Sequence, residues 1–210
     1  MLDPIALADA DTRERLVTVA SELFAENGFR KVTVRDICTA AAANVAAVNY
    51  HFGDKLGLYR QVLERAIAAQ QSLTEAARAA GEGRSAEERL HEFIRVFVSG
   101  AQHRPTWVRG LLFREMSDPT PALDELVDRG VRPRLDYLAS IVIELLGCGP
   151  DDPRVMPCAG SVMSQLIIAM PSPIGDRLRQ GRPTTEDDTA ALIEHFTAFS
   201  LAGIAKIRTL

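Results

Sequence analysis

The stretch Thr33–Lys55, TVRDICTAAAANVAAVNYHFGDK, decides the fold. Thr33 followed three residues later by Asp36 opens a helix that runs through Ile37 to about Ala41. A second helix starts near Asn44 and ends before Phe52-Gly53-Asp54. Two short helices, over about 34–41 and 45–51, are therefore expected only a few residues apart. Ahead of them Leu16, Val19, Ala20, Leu23 and Phe24 recur at helical spacing. Asp11 and Glu14 precede that stripe in capping-box spacing, and Asn27-Gly28 supplies a left-handed stop. Behind them a long helix carries Tyr59, Val62, Leu63, Ala66, Ile67 and Leu73 on one face, as far as the Gly81-Glu82-Gly83 break. A longer helix followed by two short ones is the layout of a helix-turn-helix, whose second short member enters the DNA major groove.

The chemistry of the second short helix fits that use. Ala46 and Ala47 are small enough for close approach to bases, and Val48 would anchor the helix to its core. Asn49 can donate and accept at a base edge, while Tyr50 and His51 can donate to phosphate oxygens. Thr33 and Lys55 stand at helix starts, where unpaired N–H groups and the dipole favour an anion. Arg35, Asn44 and Val45 complete the expected DNA-contacting set. Singly, each has a plainer reading: Tyr50 as a core aromatic, His51 as a cap, Lys55 as a solvated lysine. Their placement together favours DNA. Residues 11–60 carry seven Lys+Arg and six Asp+Glu, so affinity would rest on a few placed contacts and on dimerisation, not on a basic cloud.

Thr33-Val34-Arg35-Asp36-Ile37 followed by Ala46–Lys55, with Ala20–Phe29 upstream, resembles the amino-terminal DNA-binding domain of TetR-family transcriptional regulators. The resemblance covers roughly residues 11 to 63. One departure is Ala42, in the turn where family members place glycine; a Cβ in a left-handed turn costs about 1–2 kcal/mol. Further along, Arg114–Asp124, Arg132-Pro133 and Ile143–Gly147 are similar to the carboxy-terminal domain of the CecR-like (CerR) subgroup. The resemblance implies a ligand-responsive regulator, most often a repressor, bound as a homodimer to a double-stranded, pseudo-palindromic operator and released by a small-molecule effector of unknown identity. It also implies that the last two long helices pair across a two-fold axis. An all-α protein-interaction module whose helix-turn-helix does not touch DNA is the alternative, supported by the modest charge of the head.

The rest of the chain extends the helical pattern to an all-α fold of about nine helices. An amino-terminal arm over 1–10, a three-helix head over 11–55 (motif about 33–52) and a larger effector-binding and dimerisation domain over 56–210 are expected. Ser85 with Glu88 and Thr185 with Asp188 should cap helices, Thr120-Pro121 should open one, and Gly130 and Pro133 should bend it. The last helix shows a stripe of Leu192, Phe196, Phe199, Gly203 and Ile207, with Ser200 and Gly203 small enough for close helix approach. Trp107, Phe113, Met116, Met163 and Gln165 are candidates for lining an effector cavity.

With 210 residues, 47% hydrophobic and 25% charged, the chain excludes disordered and fibrous classes. Three scattered cysteines make no disulfide framework, and the acid-bearing start MLDPIALADADTRERL is unlike a signal peptide. Val155–Gly175 lacks charge, but its prolines and polar residues argue for burial in protein rather than in lipid. A cytoplasmic protein with no membrane association is expected. The four histidines show no ligand spacing, no HExxH, CxxC or GxSxG occurs, and the loop glycines lack a preceding strand. No metal site, no cofactor and no enzymatic activity are expected.

Overall fold

A computed structural model of the chain describes residues 4–103, 105–170 and 184–210, with Ser172, Gly175, Arg177 and Gln180 between the last two stretches. All regular structure among the described residues is helical: α1 (Pro4–Asn27), α2 (Val34–Ala40), α3 (Val45–Phe52), α4 (Lys55–Gly81), α5 (Ala86–His103), α6 (Thr106–Ser117), α7 (Leu123–Leu126), α8 (Arg132–Leu146), α9 (Val155–Ala169) and α10 (Glu186–Arg208). A π-helical turn over Val127–Val131 joins α7 to α8 without a break. Counted as one rod, that composite gives nine helices among the described residues, as the periodicity predicts. The extra residue per turn falls where Gly130 and Pro133 were expected to disturb the helix. Gly130 also packs closely on α4, since a Cβ there would lie 3.5 Å from Ile67 Cγ1.

The chain packs as two compact units, Met1–Ala69 with Pro105–Gly130 and Gln70–Arg104 with Val131–Leu210. In the first, Leu16, Ala20 and Phe24 of α1, Ile37 of α2, Val48 of α3 and Tyr59 of α4 close one core. The rings of Phe24, Phe29 and Tyr59 stack at its centre, 4.8–5.8 Å apart. α6 belongs to this unit, pressed so closely on α1 that a Cβ at Gly110 would sit 3.1 Å from that of Ala25. Arg114 reinforces the contact by donating to the Ala25 and Glu26 carbonyls, which the end of α1 leaves without helical partners. Glu115 is buried and accepts from the Tyr59 hydroxyl and from both the N–H and the hydroxyl of Thr120. Burial beside that carboxylate pushes the Tyr59 hydroxyl pKa far upward.

The second unit is built on the face of α5 that carries Leu90, Phe93, Ile94 and Phe97, packed against Leu138, Ile141 and Val142 of α8. α9 and α10 complete it, tied by a hydrogen bond from Gln165 Nε2 to Ser200 Oγ of 3.0 Å. Arg154 bridges Asp152 and the Ile207 carbonyl near the end of α10. The Arg154 guanidinium holds the Asp152 carboxyl down at about 2.

Several sequence expectations need correction. Asp11 and Glu14 cap nothing, because α1 already starts at Pro4, and proline suits a first helical position. Their carboxylates pair instead with Arg15 and Arg65, and the arm expected over 1–10 is helical from Pro4 onward. Pro121 lies in a turn ahead of α7, where Thr120 accepts at its carbonyl from Leu123 and at its hydroxyl from Ala122. In α10 the buried stripe is Ile193, Phe196, Thr197, Ser200 and Ile204, so Phe199 and Gly203 face outward. The capping boxes at Thr33/Asp36, Ser85/Glu88 and Thr185/Asp188 are present as expected.

Candidate nucleic-acid interface

The turn between α2 and α3 is built from backbone hydrogen bonds. The Ala43 N–H donates to the Cys38 carbonyl at 2.9 Å and the Ala42 N–H to Thr39 at 3.3 Å, the paired bonds of a Schellman stop. That motif needs a left-handed residue, and Ala42 occupies it at φ +49°. The expected departure from glycine is therefore a strained position. Asn44 then starts α3, its side-chain oxygen accepting from the Ala46 N–H at 2.9 Å.

α3 is seated on Val48, which is fully buried, and on half-buried Ala47. Its opposite face presents Val45, Ala46, Asn49 and Tyr50 to solvent, with Tyr50 78% exposed. A large aromatic held this far out on a short capped helix contributes little to its own core. The His51 ring lies edge-on to Tyr50 at 5.0 Å and is half-buried. Thr33, Arg35 and Asn44 are exposed beside it in sequence. The expected contact set thus lies within a single unit, on α2, α3, their caps and, at Lys55, the start of α4.

Two expected roles change. Thr33 was expected to leave its helix start open to an anion, yet the Asp36 carboxylate already accepts from its N–H and hydroxyl. Those bonds hold the Asp36 carboxyl below the usual carboxylate range. Lys55 commits two of its three donors to the carbonyls of Phe29 and Val32, at 2.8 and 2.9 Å, and lies 4.3 Å over the Phe29 ring. The start of α4 is served by Asp54, which accepts from the Gly57 N–H at 2.7 Å. Cys38 sits in the α2 core, and burial pushes its thiol pKa up.

Other positioning residues escaped the sequence. Arg13 lies 5.5 Å over the Phe52 ring and donates to Gln61, while Arg15 Nε reaches the Ala41 carbonyl that ends α2, at 3.4 Å. Gly57 matters for a different reason: a Cβ there would lie 1.9 Å from the Phe52 carbonyl oxygen, so a side chain would force the backbone to shift. A basic residue near an aromatic at such distances in sequence carries no pattern. Gly57 has an ordinary helical neighbourhood when read as letters.

The five effector candidates divide between the two units. Trp107, Phe113 and Met116 lie on α6 in the first unit, where Trp107 packs against the core and Phe113 and Met116 are exposed. Met163 and Gln165 lie on α9 in the second unit, Met163 against its core and Gln165 bonded to Ser200. No group of acidic, histidine and cysteine side chains able to hold a metal occurs among the described residues.

Comparison with known proteins agrees with this geometry. The family model described as bacterial regulatory proteins, tetR family, matches residues 16–62, the span of α1 to α4 that builds the helix-turn-helix. That described as the HTH-type transcriptional dual regulator CecR, C-terminal domain, matches residues 86–204, more than half of the chain. The chain belongs to the TetR family, with a CecR-type carboxy-terminal domain. Among curated relatives of this TetR-family protein, the probable HTH-type transcriptional regulator YttP of Bacillus subtilis is 24% identical over 133 residues, 63% of each chain. The HTH-type transcriptional repressor BepR of Brucella suis is 33% identical over 64 residues, 30% of this chain and 31% of the relative. The chain thus spans less than two thirds of the length of either. In fold it is similar to the crystal structure of SCO4454, a TetR-family transcriptional regulator from Streptomyces coelicolor, with a TM-score of 0.64 at 18% identity, covering 93% of this chain and 97% of that one. A putative fatty acid metabolism regulator from Clostridium perfringens aligns with a TM-score of 0.65 at 17% identity, covering 90% and 97%.

Proposed function

We propose that this TetR-family regulator is a repressor that binds a pseudo-palindromic operator as a homodimer and leaves it when a small molecule binds the helical domain over 56–210. The observation that carries the reading is the exposed face of α3, where Asn49 and Tyr50 stand out from a helix fixed by Val48 and capped by Asn44. Placed in a major groove, Asn49 reads a base edge, while Tyr50, His51 and Arg35 position the head on phosphates. Dimerisation is supported by the second unit. Met156, Ile167 and Ile168 of α9 and Phe199 of α10 are exposed, with Gly160 and Gly203 among them. α10 is also long and apolar enough to cross a membrane, but its buried stripe packs into the core of the unit, and a second copy accounts for the outer face. Trp107, Phe113, Met116, Met163 and Gln165 remain the candidates for effector contact.

Selection of bound duplexes from a random DNA library at fixed salt tests this reading. A two-fold symmetric motif with half-sites about one helical turn apart, or a multiple of it, is the expected result. Folded, dimeric protein that enriches no motif would overturn it in favour of a protein-interaction module.

A further inference from the structure

We propose that Lys55 is a positioning residue for DNA contact, a strut that fixes the segment 29–32 and so aims the exposed Lys31; this rests on the reading of the head as a DNA-binding surface. Lys55 stands at the first position of α4, where the helix dipole disfavours a cation. Its surroundings also remove water from the ammonium, and burial pushes its pKa down. A lysine retained there is held by specific acceptors. The Phe29 and Val32 carbonyls supply them at 2.8 and 2.9 Å, and the Phe29 ring face lies 4.3 Å away.

The strut acts on a segment with little structure of its own. Between the end of α1 and Thr33, the backbone bond from Val32 N–H to the Gly28 carbonyl is long, at 3.4 Å. The ammonium bonds are shorter and charge-assisted, so they outweigh it. One end of the segment is anchored by the Phe29 ring, packed against Tyr59 at 4.8 Å and Phe24 at 5.8 Å. The other end runs directly into the Thr33 cap of α2. Between them Arg30 and Lys31 are exposed, Arg30 paired with Asp118 at 3.2 Å. Lys55 thereby sets where the Lys31 backbone stands relative to α2.

Two measurements on the full chain test this. Hydrogen exchange of the 29–33 amides, without DNA, should quicken about tenfold or more in K55M while α1 and α5 amides stay protected. Operator affinities of wild type, K31A, K55M and the double variant, on the duplex recovered by selection, should be strongly sub-additive: K31A weakens wild type several-fold but scarcely affects K55M. Unchanged exchange at 29–33, or additive losses, would overturn the proposal and make Lys55 an independent phosphate ligand or a bystander. If K55M does not fold, K55R keeps the charge but replaces the compact ammonium with a planar fork, and the same exchange readout applies. A wild-type protein that selects no operator would overturn the DNA reading itself and this proposal with it. Failure of the variants alone, in a wild type that binds, would fall on the strut.

Discussion

α3 and the α9–α10 pair both turn outward large side chains that their own units do not need, and the two faces differ in kind. On α3 the exposed groups are an amide, a phenol and two small aliphatics, on a helix of eight residues capped by Asn44. On α9 they are Met156, Ile167 and Ile168, with Ser161, Ser164 and Gly160 between them and no charge over fifteen residues. A face rich in donors and acceptors keeps its affinity for water and is suited to a polar, charged partner. One without charges is suited to a surface like itself, which is what a two-fold axis provides. On the proposed function, α3 meets nucleic acid and the α9–α10 pair a second copy.

The largest expected effect comes from spoiling the apolar face. Glutamates at Ile168 and Phe199 would bury like charges against each other across a two-fold axis, and sedimentation should show a monomer. Losing the second head forfeits bivalency, so operator affinity should fall roughly 10²–10⁴-fold with α3 untouched. A double variant that stays dimeric would assign the face to something else. The converse breakage lies at Gly57. G57A forces a Cβ into the Phe52 carbonyl, at the upper end of the ~1–3 kcal/mol that overpacking costs. The junction of α3 and α4 should yield, seen as lost operator binding and a lowered first transition on urea unfolding, in a protein that still dimerises. Milder still, N49A and Y50A should each weaken operator binding by about 1–3 kcal/mol while leaving the dimer and its melting temperature within error. If either shifts the dimer equilibrium instead, the separation of the two faces fails.

The sequence was most legible where structure depends on neighbours. Thr33/Asp36, Ser85/Glu88 and Thr185/Asp188 each close a box within four residues, and each is present. The same spacing at Asp11/Glu14 misled, because Pro4 and the alanines after it let the helix begin a full two turns earlier. α10 misled for a subtler reason. With one side packed into its own unit and the other apolar and outward, its periodicity supports two stripes equally well, and Phe199 and Gly203 belong to the outer one. Lys55 and Gly57 were beyond reach, since their roles are fixed by the carbonyls of Phe29, Val32 and Phe52, which only the folded chain brings to them. The effector candidates were chosen by composition and position, and packing divides them between the two units.

Ala42 sharpens the contrast from the side of stability. Its φ of +49° carries a left-handed penalty that glycine escapes. After the added unfolded-state entropy of glycine, A42G should stabilise the head by about 0.5–1 kcal/mol. Thermal melting should rise by roughly 2–4 °C, with dimerisation unchanged. An unaltered or lowered melting temperature would mean that the turn relaxes around the alanine at no cost.

The smallest effect concerns the cap that follows the Lys55-held segment. Asp36 accepts from the Thr33 N–H and hydroxyl, bonds that favour its ionised form and lower its pKa from 3.8. A carboxyl whose folded pKa is depressed stabilises the protein fully above its unfolded value and loses that contribution as pH falls through the folded one. Wild type should therefore melt above D36N at pH 7, and the gap should close as pH drops below about 4. Because Asp36 is exposed, the gap should also be smaller than that of A42G. A difference that persists undiminished to pH 2.5 would show that the box acts through shape and not through charge.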